Sequence, residues 1–401
     1  MKIAVMFPGQ GTQFPGMMDA KYYKSERLQN LVKIASEIVN EDLKKIFLTN
    51  SKEVLEKSSL AQVALLIYGY ANYQELLESF ECIPNYLVGH SVGEITALVA
   101  GNAIKFHDGI ELVFQRGKLM DEAARNSMGG MMAVRDLSLI ELNKICNLHS
   151  INGHKCVIAA YNSSKQTVLS GDLVALNAVA KHIEYLQKGS IRKLSVIGAF
   201  HSPHMKAVES QFGDILNKVP MHELTTDVIS TVDCKFYNES EAIKKNLLNQ
   251  LTMAVLWSDA IAKLKTLQVD IFFDIGPNST LRQMVEDEIK TNSVLDKVAY
   301  GFDNTSDRFF AKEKINTSRR LILSKLLKVS ICTKNHQQNN FEEGVIKPFR
   351  AIENLYENSS DSFLGTEHLR AAVRFTEQIL RNKGYCSDRI ETELREFKNV
   401  I

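Results

Sequence analysis

The chain of 401 residues carries almost no net charge: 48 lysines and arginines stand against 47 aspartates and glutamates, leaving +1. Nothing global therefore points to a nucleic acid or a membrane surface. Its six cysteines (Cys82, Cys146, Cys156, Cys234, Cys332 and Cys386) include no C-x-x-C pair. They are expected to be reduced, mostly buried thiols of a cytoplasmic protein. No apolar run reaches spanning length, and no signal-peptide pattern precedes the opening strand Lys2–Phe7. His149 and His154 lie in a polar loop without metal-ligand spacing. Gly9, Gly11 and Gly16 lack the dinucleotide-binding spacing, and no Gly-Lys-Ser/Thr closes a phosphate-cradling loop. No metal, nucleotide or redox cofactor is expected. What remains is an ordinary globular composition, 45% hydrophobic and 24% charged, long enough for one large domain with additions.

The most informative stretch is Gly89-His90-Ser91-Val92-Gly93. It follows the apolar run Tyr86–Val88 and precedes a helical segment, Glu94–Ala100, so it reads as strand, tight turn and helix with a serine at the apex. Glycines on both sides permit a turn too sharp for side chains, which lifts the hydroxyl clear of the sheet. A helix N-terminus beside that hydroxyl favours an oxyanion forming there. Phe7-Pro8-Gly9-Gln10-Gly11 is a second strand-to-loop junction, whose backbone N–H groups can approach a ligand oxygen. Gly198-Ala199-Phe200-His201-Ser202 is a third; it follows an apolar run and offers His201 as a general base for a serine that lacks one. No aspartate has an evident triad role. A Ser91–His201 dyad oriented by backbone or amide oxygens is expected.

With Gln115-Arg116-Gly117-Lys118-Leu119-Met120 between them, these motifs stand in the order found in the acyl-carrier-protein malonyltransferases of fatty acid and polyketide synthesis, which the chain resembles from about residue 1 to residue 285. The resemblance implies that Ser91 attacks a malonyl thioester and that His201 takes its proton. It implies that backbone amides of Gln10 and Val92 hold the oxyanion and that Gln250 orients His201 through its oxygen. Arg116 would grip the free carboxylate of malonyl; a planar guanidinium suits that role, because it pairs with a carboxylate bidentately. Without the resemblance, Arg116 reads as a solvent-facing residue of an amphipathic helix. Phe200, a bulky residue before the histidine, would favour malonyl over methylmalonyl. Asn162 opens a strand–loop segment of the same family and is carried as a substrate-binding residue. His90 and Glu94 are taken as structural.

The expected fold is α/β: an α/β-hydrolase-like core with a parallel sheet (1–126 and 198–303), an inserted ferredoxin-like subdomain (127–197), and a helical C-terminal extension (304–401). The insert shows a βαββαβ order, with strands at Gly130–Val134, Lys155–Ala159, Val168–Gly171 and Ile191–Ile197. In the extension a basic helix is expected near Thr317–Lys328. After a polar segment, Lys334–Asn340, a second helix would bury Leu369, Ala372, Val373, Thr376, Ile379 and Leu380 and stop at Gly384. The extension resembles that of freestanding acyltransferases serving polyketide synthases. The resemblance further implies malonyl-CoA as substrate and an acidic acyl carrier protein or polyketide synthase carrier domain as partner, with Lys188, Arg192 and Lys193 as plausible contacts. The competing activity is an acyl hydrolase of the same fold that clears carrier proteins; a carboxylate clamp such as Arg116 has little use there.

Overall fold

A computed structural model describes residues 1–48, 52–151, 153–289, 298–336, 340–359 and 362–398. They form two compact units: one of Lys2–Glu75 with Pro84–Asn304, the other of Leu76–Ile83 with the chain from Thr305 onward. No helix among the described residues is long and apolar enough to cross a membrane.

The first unit is built on a parallel five-stranded sheet. Its strands are β1 (Ile3–Phe7), β2 (Tyr86–Gly89), β7 (Asp227–Ile229), β8 (Ile271–Asp274) and β9 (Ala299–Gly301), in the order β7-β2-β1-β8-β9. β1 lies at the centre and all five of its residues are buried, which explains its unbroken apolar sequence. Phe7 pairs with Gly89 at the ends of β1 and β2. The two following turns, about eighty positions apart in sequence, therefore emerge side by side at the carboxyl edge of the sheet. That edge is where open α/β sheets place their ligands. β8 ends at the same edge, and Asn278 beyond it donates to the Thr12 carbonyl at 3.0 Å.

Between them lies a four-stranded antiparallel sheet of β3 (Gly129–Arg135), β4 (Cys156–Ser163), β5 (Gln166–Asp172) and β6 (Ser190–Lys193), ordered β4-β5-β3-β6. With the helices Leu139–His149 and Leu173–Leu186 this is the βαββαβ, ferredoxin-like arrangement expected. Met132, Val134 and Leu169 face the helices and pack on Leu142, Ile145, Leu176 and Val179. The alternate residues Met131, Ala133 and Val168 line the cleft described below. β6 ends at Lys193 rather than Ile197. The chain leaves the sheet there and runs on to Phe200 and His201.

The second unit is helical. Helices Thr305–Cys332, Lys347–Asn358, Thr366–Asn382 and Ser387–Lys398 share a core that contains Leu323, Leu326, Ile352, Leu369, Ile379 and Leu394. The six residues expected on the buried face of Thr366–Asn382 are buried. The basic helix is longer than 317–328 and runs over Thr305–Cys332. Residues 337–339 of the polar segment lie outside the described residues.

Candidate active site

Only His90 and Ser91 separate β2 from the helix Val92–Ala100. Ser91 adopts φ 53°, ψ −118°, a conformation that costs an L-residue about 1–3 kcal/mol and persists only where its surroundings impose it. A Cβ on Gly89 would lie 2.0 Å from the Gly93 carbonyl carbon, and one on Gly93 would lie 2.1 Å from the Phe7 oxygen. The turn is therefore pressed against itself and against β1, with the serine hydroxyl at its crest. Val92 opens the helix, so its N–H is among those a helix leaves unbonded.

His201 also has positive φ, 54°. The Ser202 hydroxyl donates to the Ala199 carbonyl at 2.6 Å and accepts from the His204 N–H at 3.3 Å, closing the loop behind it. His201 Nε2 lies 2.8 Å from Ser91 Oγ, and its Nδ1 lies 2.7 Å from the backbone carbonyl of Gln250. A carbonyl can only accept, so the proton resides on Nδ1 and Nε2 is free to accept from the serine. Burial, reinforced by the Arg116 charge, brings the His201 pKa down to about 3, so the ring is neutral at neutral pH. The Gln250 oxygen that meets His201 is its backbone carbonyl, while the side-chain oxygen accepts from Arg116 at 3.0 Å.

Arg116 is buried at 1% exposure on the inner face of the helix Phe106–Arg125, so the solvent-facing reading fails. Asp121, one turn further, accepts from the N–H groups of Ser58 and Ser59. That contact sets the start of the neighbouring helix Ser58–Phe80 so that Gln62 Oε1 meets Arg116 Nη1 at 2.9 Å. Nη2 reaches Ser91 Oγ at 3.4 Å. The Nε–H is buried without a hydrogen-bond partner, and no carboxylate pairs with the guanidinium among the described residues. Burial lowers the Arg116 pKa to about 10, partly offset by the negative charge of Glu94, and the group stays cationic at neutral pH.

A cleft of about 340 Å³ opens above Ser91 and His201. Gln10, Asn162 and Phe200 line it, together with Val168 of the small sheet and Leu194 just beyond β6. Arg116, Val92 and Gln250 are not among its lining residues; Arg116 adjoins it through Ser91 Oγ. Asn162 holds His90 Nε2 at 2.8 Å and Gln166 Oε1 at 2.8 Å. Gln10 donates from its side chain to Ser58 Oγ at 3.1 Å. Of the three basic residues suggested as partner contacts, Arg192 lines the cleft, while Lys188 reaches Glu141 at 3.5 Å instead.

Two residues escaped the sequence reading. Gln62 sits on a helix so apolar that an amide there drew no notice. Glu94, read as merely structural, is fully buried and accepts from Gln250 Nε2 at 2.9 Å. A charged residue one turn into an otherwise apolar helix was the available signal.

The profile of the acyl transferase domain family matches residues 5–316. A malonyl CoA-acyl carrier protein transacylase of Bacillus subtilis is 28% identical over 343 residues, covering 84% of each chain. The solved structure of the malonyl CoA-acyl carrier protein transacylase of Coxiella burnetii superposes with a TM-score of 0.73 at 26% identity, over 79% of this chain and 98% of that one. A malonyl-transacylase solved in complex with a type II polyketide synthase acyl-carrier protein gives the same score and identity, over 78% of this chain and 100% of its own.

Proposed function

The chain belongs to the acyl transferase domain family, and on that premise we propose that it moves a malonyl group from malonyl-CoA to the phosphopantetheine thiol of an acyl carrier protein, as an [acyl-carrier-protein] S-malonyltransferase supplying fatty acid or polyketide synthesis. One observation carries the malonyl part of this reading: a buried cation, 3.4 Å from Ser91 Oγ, has an unpartnered N–H and no carboxylate of its own. An acyl group that ends in a carboxylate completes it; an acetyl group leaves it unpaired.

The steps follow from the geometry. Neutral His201 Nε2 accepts the Ser91 proton as Oγ attacks the thioester carbonyl. The N–H groups of Gln10 and Val92, at the ends of two adjacent strands, would hold the oxyanion. The intermediate collapses, the C–S bond breaks, and the proton on Nε2 passes to the departing CoA sulfur. In the second half His201 removes the proton of the carrier thiol. The sulfur attacks the malonyl ester, and the proton returns to Ser91 as the C–O bond breaks. The Gln250 carbonyl keeps the Nδ1 proton in place throughout and steadies the imidazolium between steps. Phe200, 4% exposed in the cleft wall, would fill the space a 2-methyl branch needs. Asn162 would shape the acyl site by fixing His90. Arg192 would meet the carrier or its anionic arm. This chemistry calls on no metal or redox group. Six free cysteines support a cytoplasmic setting, although only Cys146 and Cys156 are buried where most were expected to be.

The experiment is intact-protein mass measurement after brief exposure to malonyl-CoA or acetyl-CoA. Wild type is expected to gain a malonyl adduct that Ser91→Ala lacks. Labelling by acetyl alone, or turnover to free acid without an adduct, would replace malonyl transfer with acyl hydrolysis.

A further inference from the structure

The Glu94 carboxylate takes no step in this chemistry, yet it stands one residue away from two groups that do. Its Oε2 accepts from the Thr231 N–H at 3.2 Å, from the Thr231 hydroxyl at 2.6 Å and from Gln250 Nε2 at 2.9 Å. Its Oε1 is held by the Tyr237 hydroxyl. A backbone N–H can only donate, so Oε2 is an acceptor whatever the protonation of Oε1. The Gln250 nitrogen must therefore face Glu94. On the other side of the amide stands Arg116, which has no acceptor, so the Gln250 oxygen must face Nη2, at 3.0 Å. One amide lies between a group that accepts and a group that only donates, and a single orientation satisfies both. The same residue follows the helix Ser240–Asn249, where its backbone carbonyl receives His201 Nδ1–H at 2.7 Å.

We propose that Glu94 is a positioning residue which, through Gln250, fixes both the direction of the Arg116 guanidinium and the seat of His201. Acyl-group selection and proton transfer then depend on one buried carboxylate. The step rests on the malonyl-transfer reading above. It also explains why a glutamate is tolerated in a helix whose nine residues are all buried: every contact its carboxylate makes is with a hydrogen-bond donor.

The test is carrier-protein acylation from malonyl-CoA and from acetyl-CoA, with thermal denaturation read alongside. Glu94→Gln can keep an oxygen toward Thr231 and Gln250 and turn its amide to the Tyr237 hydroxyl, so it should stay within about threefold of wild type on both donors. Glu94→Met leaves the Gln250 amide without an acceptor and free to turn over. Its malonyl kcat/KM should fall ~10–100-fold and its malonyl-over-acetyl preference about tenfold. Glu94→Asp, charged but one methylene shorter, should lie between, and it carries the test if the methionine variant does not fold. Equal losses on both donors in the methionine and aspartate variants, or a glutamine variant as impaired as the methionine one, would overturn the proposal. Absence of malonyl transfer by wild type would instead sink the underlying reading.

Discussion

Among the described residues two arginines are buried, one in each unit, and they are partnered differently. Arg319, in the helical unit, is 7% exposed. It donates to the carbonyls of Leu364 at 2.7 Å, Phe80 at 3.1 Å and Glu81 at 2.7 Å, and to Thr366 Oγ1 at 3.4 Å. It closes the C-terminal end of the helix Ser58–Phe80, where carbonyls need donors and the helix dipole welcomes a cation. Arg116 is more deeply buried, yet its acceptors are two side-chain amides and a serine, and its Nε–H has none. Burial lowers the pKa of both groups. A buried cation met by backbone carbonyls serves the fold; one with a buried N–H left over beside a nucleophile is held ready for a ligand.

That contrast is broken most directly by deleting each cation. Arg116→Ala should lower malonyl kcat/KM by ~10²–10³-fold, because the acyl carboxylate then enters a buried site without its partner. Acetyl transfer should hold or rise, and any drop in melting temperature should be smaller than for Arg319, since a charge without a carboxylate leaves the interior while two amide oxygens lose a donor. Steady-state transfer from both donors checks it; a malonyl preference that survives the substitution removes the clamp from the argument. Arg319→Ala should do the reverse. It takes a donor from three carbonyls, of which Glu81 keeps the Thr366 hydroxyl, and should cost ~2–3 kcal/mol of stability, with kcat/KM per folded molecule unchanged. Denaturant midpoints beside active-site titration would show this, and a selective loss on malonyl would contradict it.

The next effect sharpens what the Arg116 charge does. A base acts when deprotonated. A His201 pKa lowered to about 3 by burial and then by Arg116 means that serine acylation should stay flat with falling pH through the ordinary histidine range. Arg116→Gln removes the second cause and leaves burial in place. Its acid limb should therefore move upward, toward but not reaching the ordinary value. The pH profile of acylation from acetyl-CoA, whose acyl group carries no charge, gives the reading. An unmoved limb would show that His201 does not sense Arg116.

How much of this was legible depends on how local each signal is. The turn at Ser91 could be read because the strand, both glycines and the helix lie within fifteen residues. The small sheet could be read because alternation such as Met131/Met132/Ala133/Val134 is a property of the strand itself. Glu94 could not, because Thr231, Tyr237 and Gln250 lie more than a hundred positions away and only the fold brings them to it. Nor can a sequence say that Gln250 turns its backbone oxygen to His201 and its side-chain oxygen to Arg116. The helix Thr305–Cys332 was underestimated for a related reason. Its buried positions are Asp307, Ala311, Ile315, Arg319, Leu323, Leu326 and Ser330, and the polar members hide the period. Arg319 was thus masked by the very burial that gives it its role.

The smallest effect concerns Phe200, which separates the two requirements placed on the acyl group. Arg116 reads a charge and Phe200 reads a shape, and shape is the weaker criterion. Removing a methyl-sized conflict in an apolar wall is worth only about 1–2 kcal/mol, so Phe200→Leu should raise methylmalonyl kcat/KM by about thirtyfold at most. Malonyl transfer should change little, because the carboxylate is read by Arg116, whose hydrogen bonds go to Gln62, Ser91 and Gln250 and not to Phe200. The neighbouring backbone should tolerate the change, since the loop is closed by Ser202 and the Ala199 carbonyl and not by the ring. Competition between malonyl-CoA and methylmalonyl-CoA for one limiting carrier protein measures the ratio directly. A ratio unmoved by the leucine would assign the choice of extender to Met131, Val168 or Leu194 across the cleft. A loss on both donors would mean that the ring supports His201 itself.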